Sequence, residues 1–136
     1  MAAAAAFVGT PKITPMSFVN ADGTTKKTIH TAGATGSKVV TVVATSTDTV
    51  ARTAQVWLTR SAVSYLLGSV VIATLAGTDG ATATAGLLPA SLLPLPTDND
   101  GQRYLFMVSG DTLQVGMTVA VTAAKEIDVL CIAADF

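Results

Sequence analysis

The residues able to do acid–base, nucleophilic or metal chemistry are few: one histidine, His30, one cysteine, Cys131, one glutamate, Glu126, and scattered aspartates. A hydrolytic triad needs a nucleophile beside a base that a carboxylate orients, and a zinc site needs several His, Cys or carboxylate ligands together. His30 stands in TIHTAGATG, at the predicted end of a strand, with no second histidine and no nearby glutamate. It reads as a structural or surface residue. Cys131 has no partner for an internal disulfide, and its neighbours Val129, Leu130 and Ile132 mark it as a small buried hydrophobe. No catalytic, cofactor-binding or metal-ligating residue is assigned, no cofactor is expected, and the chain is read as a non-enzyme.

Two segments approach known binding loops and miss. Asp98-Asn99-Asp100-Gly101 is similar to part of a calcium loop, but with Gly101 at the obligatory glycine, Pro96 takes the first ligand position and Met107 the place of the bidentate glutamate. A tight turn is the better reading, with Asp98 and Asp100 able to hold at most a weak ion at a subunit contact. In GATGSK, residues 33–38, the glycines are too close for a phosphate-cradling loop and Lys38 follows Ser37 instead of preceding a hydroxyl residue. These glycines supply positive φ in a turn. A sugar groove needs an aromatic platform, and Trp57, Tyr65, Tyr104 and the four phenylalanines form no evident cluster in sequence.

The elements that must position these residues are strands. Residues 112–123 (TLQVGMTVAVTA) alternate strictly, with Leu113, Val115, Met117, Val119, Val121 and Ala123 on one face. Val119 and Val121 are therefore both expected in the core. Segments 38–46 and 51–60, joined by a few polar residues including Asp48, read as an antiparallel hairpin. Within the second, Ala54, Val56 and Leu58 oppose Gln55, Trp57 and Thr59, so Trp57 points away from the aliphatic face. Two readings stand: a lid over a sheet edge, or the anchor of a subunit contact.

Further strands are predicted near 13–19, 25–31, 63–75, 103–109 and 127–134, with turn-rich pieces between them. About eight short antiparallel strands and no amphipathic helix predict an all-β domain, a β-sandwich or barrel. Pro89, Pro94 and Pro96 make the LLPASLLPL segment an extended crossover between sheets. Residues 1–12 form an N-terminal arm, flexible or bound to a partner, and 13–136 a single domain. The opening MAAAAAFVGTP lacks the basic residue and apolar length of a signal peptide.

Charged residues make up 12% of the chain, about half the usual share of roughly 25%, whereas 50% are hydrophobic and the formal net charge is -1. Eight Lys and Arg without a basic stripe argue against nucleic acid as a partner; Arg52, Arg60 and Arg103 are isolated, and Lys26 and Lys27 read as the solvated part of a strand or turn. Residues 61–78 carry no charge, but Ser61, Ser64, Gly68, Ser69 and Thr74 interrupt them and no basic cluster flanks them, so a soluble chain is read, with no membrane partner. So few charges give little protection against association, and partners are expected to cover much of this surface.

Three features together are similar to small virion proteins of tailed bacteriophages, in particular head decoration or cement proteins. They are the opening TPKIT at 10–14, the glycine turn HTAGATGSKVVTV at 30–42 leading into the first strong hairpin, and the terminal strand VLCIAADF at 129–136. The resemblance implies a jelly-roll-like sandwich, a homotrimer, and docking against the major capsid protein on the outside of the head, with no cofactor and no small-molecule substrate. It also implies synthesis in the cytoplasm of a bacterial host. Other virion positions (a head-fibre base, a tail or baseplate part) and a carbohydrate-binding β-sandwich module are the alternatives.

Overall fold

Successive side chains of a strand point to opposite faces, so a strand with one face on a core buries every second residue. The computed structural model describes residues 9–89, 95–97 and 103–136. Among the described residues there are nine strands: β1 (Thr10–Val19), β2 (Lys27–Thr31), β3 (Ser37–Ser46), β4 (Arg52–Arg60), β5 (Val63–Ile72), β6 (Ala85–Gly86), β7 (Leu105–Met107), β8 (Thr112–Met117) and β9 (Glu126–Asp135). In β9, for example, Ile127, Val129, Cys131 and Ala133 are buried while the residues between them are not.

The strands pair as one long hairpin folded over on itself. β1 pairs with β9, β2 with β8, β3 with β6 and β7, and β4 with β5, all antiparallel. Folding this hairpin across itself adds the pairs β3–β9 and β4–β8. The result is two sheets: sheet A, in the order β1-β9-β3-β6 with β7 also on β3, and sheet B, in the order β2-β8-β4-β5. β6 meets β3 at Val43 and Ala44, and β7 meets it at Ser37–Val39, so both share one position in the sheet. Eight positions in this nested order make a jelly-roll sandwich. Phe18, Ile29, Val42, Val56, Ile72, Leu87, Leu113 and Ile127 fill the space between the sheets. A bulge in β2 between Thr28 and His30 turns two neighbours, Ile29 and His30, inward together.

Several expectations need correction. Segments 38–46 and 51–60 are strands but not a hairpin: β3 lies in sheet A and β4 in sheet B, and the link between them crosses the sandwich edge. Alternation shows that each strand has a buried face, not that both lie in the same sheet. The real hairpin is β4–β5, closed by Ser61 and Ala62 at φ 50° and 64°. Positive φ at both central positions matches strand twist in a two-residue turn. The stretch 112–123 is not one strand either. β8 stops at Met117, the Thr118 N–H bonds to the Thr53 carbonyl at 3.0 Å, and the chain bends. Val121 is buried, but Val119 is 58% exposed and leaves the core.

Smaller differences are of boundary. β1 begins at Thr10, so Thr10, Pro11 and Lys12 pair with β9 instead of belonging to the arm. β5 ends at Ile72, β7 spans only Leu105–Met107, and β6 was not anticipated. The arm's residues 1–8, most of the proline-rich crossover (90–94) and the aspartates Asp98 and Asp100 lie outside the described residues. The uncharged stretch expected to be soluble contains β5, and no helix among the described residues is long and apolar enough to cross a membrane.

Candidate interaction surface

The residues of greatest chemical potential are built into the framework. His30 is buried at the inner side of β2, its Nε2 2.6 Å from the Ser37 hydroxyl with which it shares a hydrogen bond. Burial lowers its pKa from the ordinary 6.5; the nearby Asp135 carboxylate opposes that shift and Lys12 adds to it. Asp135 is itself held by Lys12 Nζ at 2.6 Å and by the Gly33 N–H at 3.1 Å. Of the two glycines expected at positive φ, Gly36 is there, at 85°, and its N–H bonds to the Gly33 carbonyl; Gly33 is not. Cys131 is buried in β9, and desolvation pushes its thiol up to about 12, which leaves it protonated and inert. Among the described residues, no group of three or more His, Cys, Asp or Glu is placed to hold a metal ion.

Two buried aspartates clamp the ends of β4. At one end, Asp48 accepts from Arg52 Nε at 2.8 Å, from the Thr122 N–H and hydroxyl, and from the Val50 N–H. Burial alone would raise its pKa, but the hydrogen bonds from Thr122, Arg52 and Val50 outweigh that and hold the carboxyl well below the ordinary 3.8. At the other end, Asp111 takes two bonds of 2.7 Å from Arg60, one on each oxygen, and a third from the Val108 N–H. The Arg60 bonds lower its pKa against the opposing effect of burial. These ion pairs fix loops to strand ends.

Trp57 sits half-buried on the outer face of sheet B. β4 is an interior strand, so the ring caps no edge. Its register neighbours are Gln114 on one side and Leu66 on the other, and Lys26 Nζ lies 4.4 Å from the ring centroid. Beside it runs an uncharged hydrogen-bonded row across all four strands: Thr28, Gln114, Thr59 and Ser64, at 3.1, 2.8 and 2.8 Å. The wall of Lys26 over Gly116 completes a shallow groove next to the indole.

The sheet edges differ in protection. An exposed edge offers unpaired N–H and C=O groups to any other strand, and proteins blunt it with proline, charge or brevity. β1 carries Pro11, Lys12 and Pro15; β2 is five residues long and opens with Lys27; β6 and β7 have two and three residues. β5 has none of these three devices, and a bulge at Leu67 is the one irregularity in its pairing with β4. Its ten residues, VSYLLGSVVI, contain no charge and no proline, and Val63, Tyr65, Leu66 and Val71 are exposed. Among the described residues it pairs with β4 alone.

Sheet A carries a second apolar surface. β9 starts as an ordinary half-buried strand, with Glu126 and Asp128 outward, then turns apolar on both faces through VLCIAA, so that Leu130, Ile132 and Ala134 face outward. Strands read this way when both faces are covered. Next to them on the outer face are exposed Ile13 and Val40, and at the end of the sheet Tyr104, Phe106 and Phe136 pack ring to ring, 4.5 and 5.4 Å between centroids. Lys38 Nζ lies 4.7 Å from the Tyr104 ring centroid.

No family model and no curated protein matches this chain.

The sequence reading placed Trp57 on the outer face but missed both the unprotected β5 edge and the aromatic cluster. The first was legible: residues 61–78 form a long run without charge, and a strand at a sheet edge turns such a run into a contact surface. The second was not, because Phe106 reaches Phe136 only through the pairing of β7 with β3 and of β3 with β9, which puts Phe106 opposite Lys38 and Lys38 opposite Ala134.

Proposed function

We propose that this chain is a structural subunit of a virion, a decoration protein that associates as a trimer and binds the major capsid protein on the outside of a phage head. The unprotected β5 edge is the observation that supports the reading best. A ten-residue strand without charge or proline, with Leu66 on its outer face beside Trp57 of β4, is suited to meet another copy edge to edge. Such pairing satisfies the open backbone groups and removes the aggregation hazard of the edge. The apolar outer side of β9 provides a separate surface, available for the shell.

Stabilisation follows from mass action. A subunit that binds the assembled shell and not its dissociated parts shifts the balance toward assembly, and an interface on the order of 800 Å² per partner is the standard size for such contacts. No bond is made or broken, which agrees with the framework roles of His30, Cys131 and the buried aspartates.

The carbohydrate-module reading draws less support. Tyr104 and Phe106 meet edge to face at 64°, so they do not present one flat face for a sugar ring. A head-fibre base, tail or baseplate position would use the same surfaces, and immunogold labelling of particles separates head from tail. The direct test is to add purified protein to heads stripped of it. Cosedimentation at saturable stoichiometry with a raised disruption temperature is expected; protein that stays in the supernatant at micromolar concentration contradicts the proposal.

A further inference from the structure

Beside Trp57 the outer face of sheet B holds a groove of about 340 Å³, a volume at the lower end of the range for small-ligand sites. Lys26, Gln55, Trp57, Gly116 and Thr118 line it, and no residue of β5 does, so copies that meet edge to edge at β5 leave it open. Gly116 keeps the groove clear: a β-carbon there would stand 3.1 Å from Lys26 Cγ and push that side chain away. With glycine in place, Lys26 Nζ sits 4.4 Å from the indole centroid.

Charge sets the sign of the ligand. The four strands of sheet B contain no aspartate or glutamate, and their cations Lys27, Arg52 and Arg60 are each paired with an aspartate from outside the sheet: Asp22, Asp48 and Asp111. Lys26 is exposed and, among the described residues, pairs with no carboxylate, so the groove presents an uncompensated positive charge. The half-buried Gln55 amide bonds to no described residue and stands ready for a ligand. An aromatic face, neutral amides and hydroxyls, and one cation suit a sugar that carries a carboxylate. Unlike Tyr104 and Phe106, which meet edge to face, the indole has no other ring packed on it among the described residues. A peptide suits the site less, since β8 and β4 are interior strands whose backbone is already paired on both sides and offers no ladder to an added strand.

We propose that this groove binds an acidic sugar. The carboxylate accepts from Lys26 Nζ, a C–H face of the sugar ring covers the exposed part of the indole, and the Gln55 amide and the Thr118 hydroxyl bond the ring's hydroxyl groups. The site is complete within one chain, so it adds an activity to the structural role and does not rest on it.

The chain has a single tryptophan, so the emission of the native protein reports on Trp57 alone. Trigalacturonic acid and sialyllactose are the acidic probes, and the methyl ester of the first and lactose for the second are their neutral counterparts. At neutral pH and low salt, at least one acidic probe is expected to give a saturable emission change, with its neutral counterpart binding roughly tenfold more weakly. Lys26→Gln is expected to lose about tenfold in affinity for the acidic probe with an unchanged circular dichroism spectrum, since Lys26 is exposed. No saturable change with either acidic probe overturns the proposal. Equal binding of the neutral sugars, or native affinity in Lys26→Gln, overturns it as well. Equal binding of polyglutamate overturns it by assigning the groove to acidic peptides. The association of copies is read separately, by light scattering, so failure of this site and failure of the structural role are told apart.

Discussion

At the scale of single residues, the few charges of this chain are spent on fastening loops to strands. Asp48 and Asp111 are buried, and each accepts from an arginine of β4 and from backbone N–H groups. Replacing Asp111 with alanine strands the Val108 N–H and costs about 2 kcal/mol, and Asp48→Ala, which frees more donors, costs about 3 kcal/mol in urea unfolding. His30 adds a pH dependence. Its folded pKa lies below the ordinary 6.5, so the unfolded chain takes up the proton first as pH falls, and the stability His30 contributes is present above about 6.5 and lost below it. The lowered aspartate pKa values act in the same direction in a second window that opens below the ordinary 3.8. The urea midpoint is therefore expected to fall between neutral pH and about pH 5 in the native chain and to stay flat there in His30→Asn.

At the scale of elements, alternation reveals strands better than their partners. β3, β4 and β9 were legible almost to the residue, because each buries every second side chain. Which sheet a strand joins depends on contacts far along the chain, and the β3–β4 link, nailed down by buried Asp48, crosses the sandwich where a hairpin was read. The end of β8 was hidden for a related reason. Residues 118–123 continue the alternation of types, yet the Thr118–Thr53 bond bends the chain, so Val119 turns to solvent and Val121 returns to the core. Val121→Asp is expected to prevent folding, since an unpaired buried charge costs several kcal/mol against a total of about 5 to 15. Val119→Asp should change stability by less than about 0.5 kcal/mol, as surface substitutions do. Circular dichroism and urea titration of the pair decide the point, and equal damage from both would contradict the bend.

At the scale of the whole molecule, a sandwich with 12% charged residues leaves apolar surface on both outer faces, but it distributes that surface unevenly. Three of the four sheet edges are blunted by proline, lysine or shortness, and β5 alone is long and free of proline and charge, with one bulge at Leu67. Composition led to the expectation that neighbours shield this chain; the topology offers a place for such a contact, because only the strand order reveals that the uncharged run lies at an edge and next to Trp57. Light scattering of the native chain beside Val71→Lys tests this most directly, since a lysine on an edge strand opposes pairing with another strand. The native chain is expected to have a mass near three times that of one chain at micromolar concentration, and Val71→Lys to fall to one-chain mass with an unchanged circular dichroism spectrum. A native chain that is monomeric, or a lysine variant that remains associated, would contradict the assignment of β5 as the surface where copies meet.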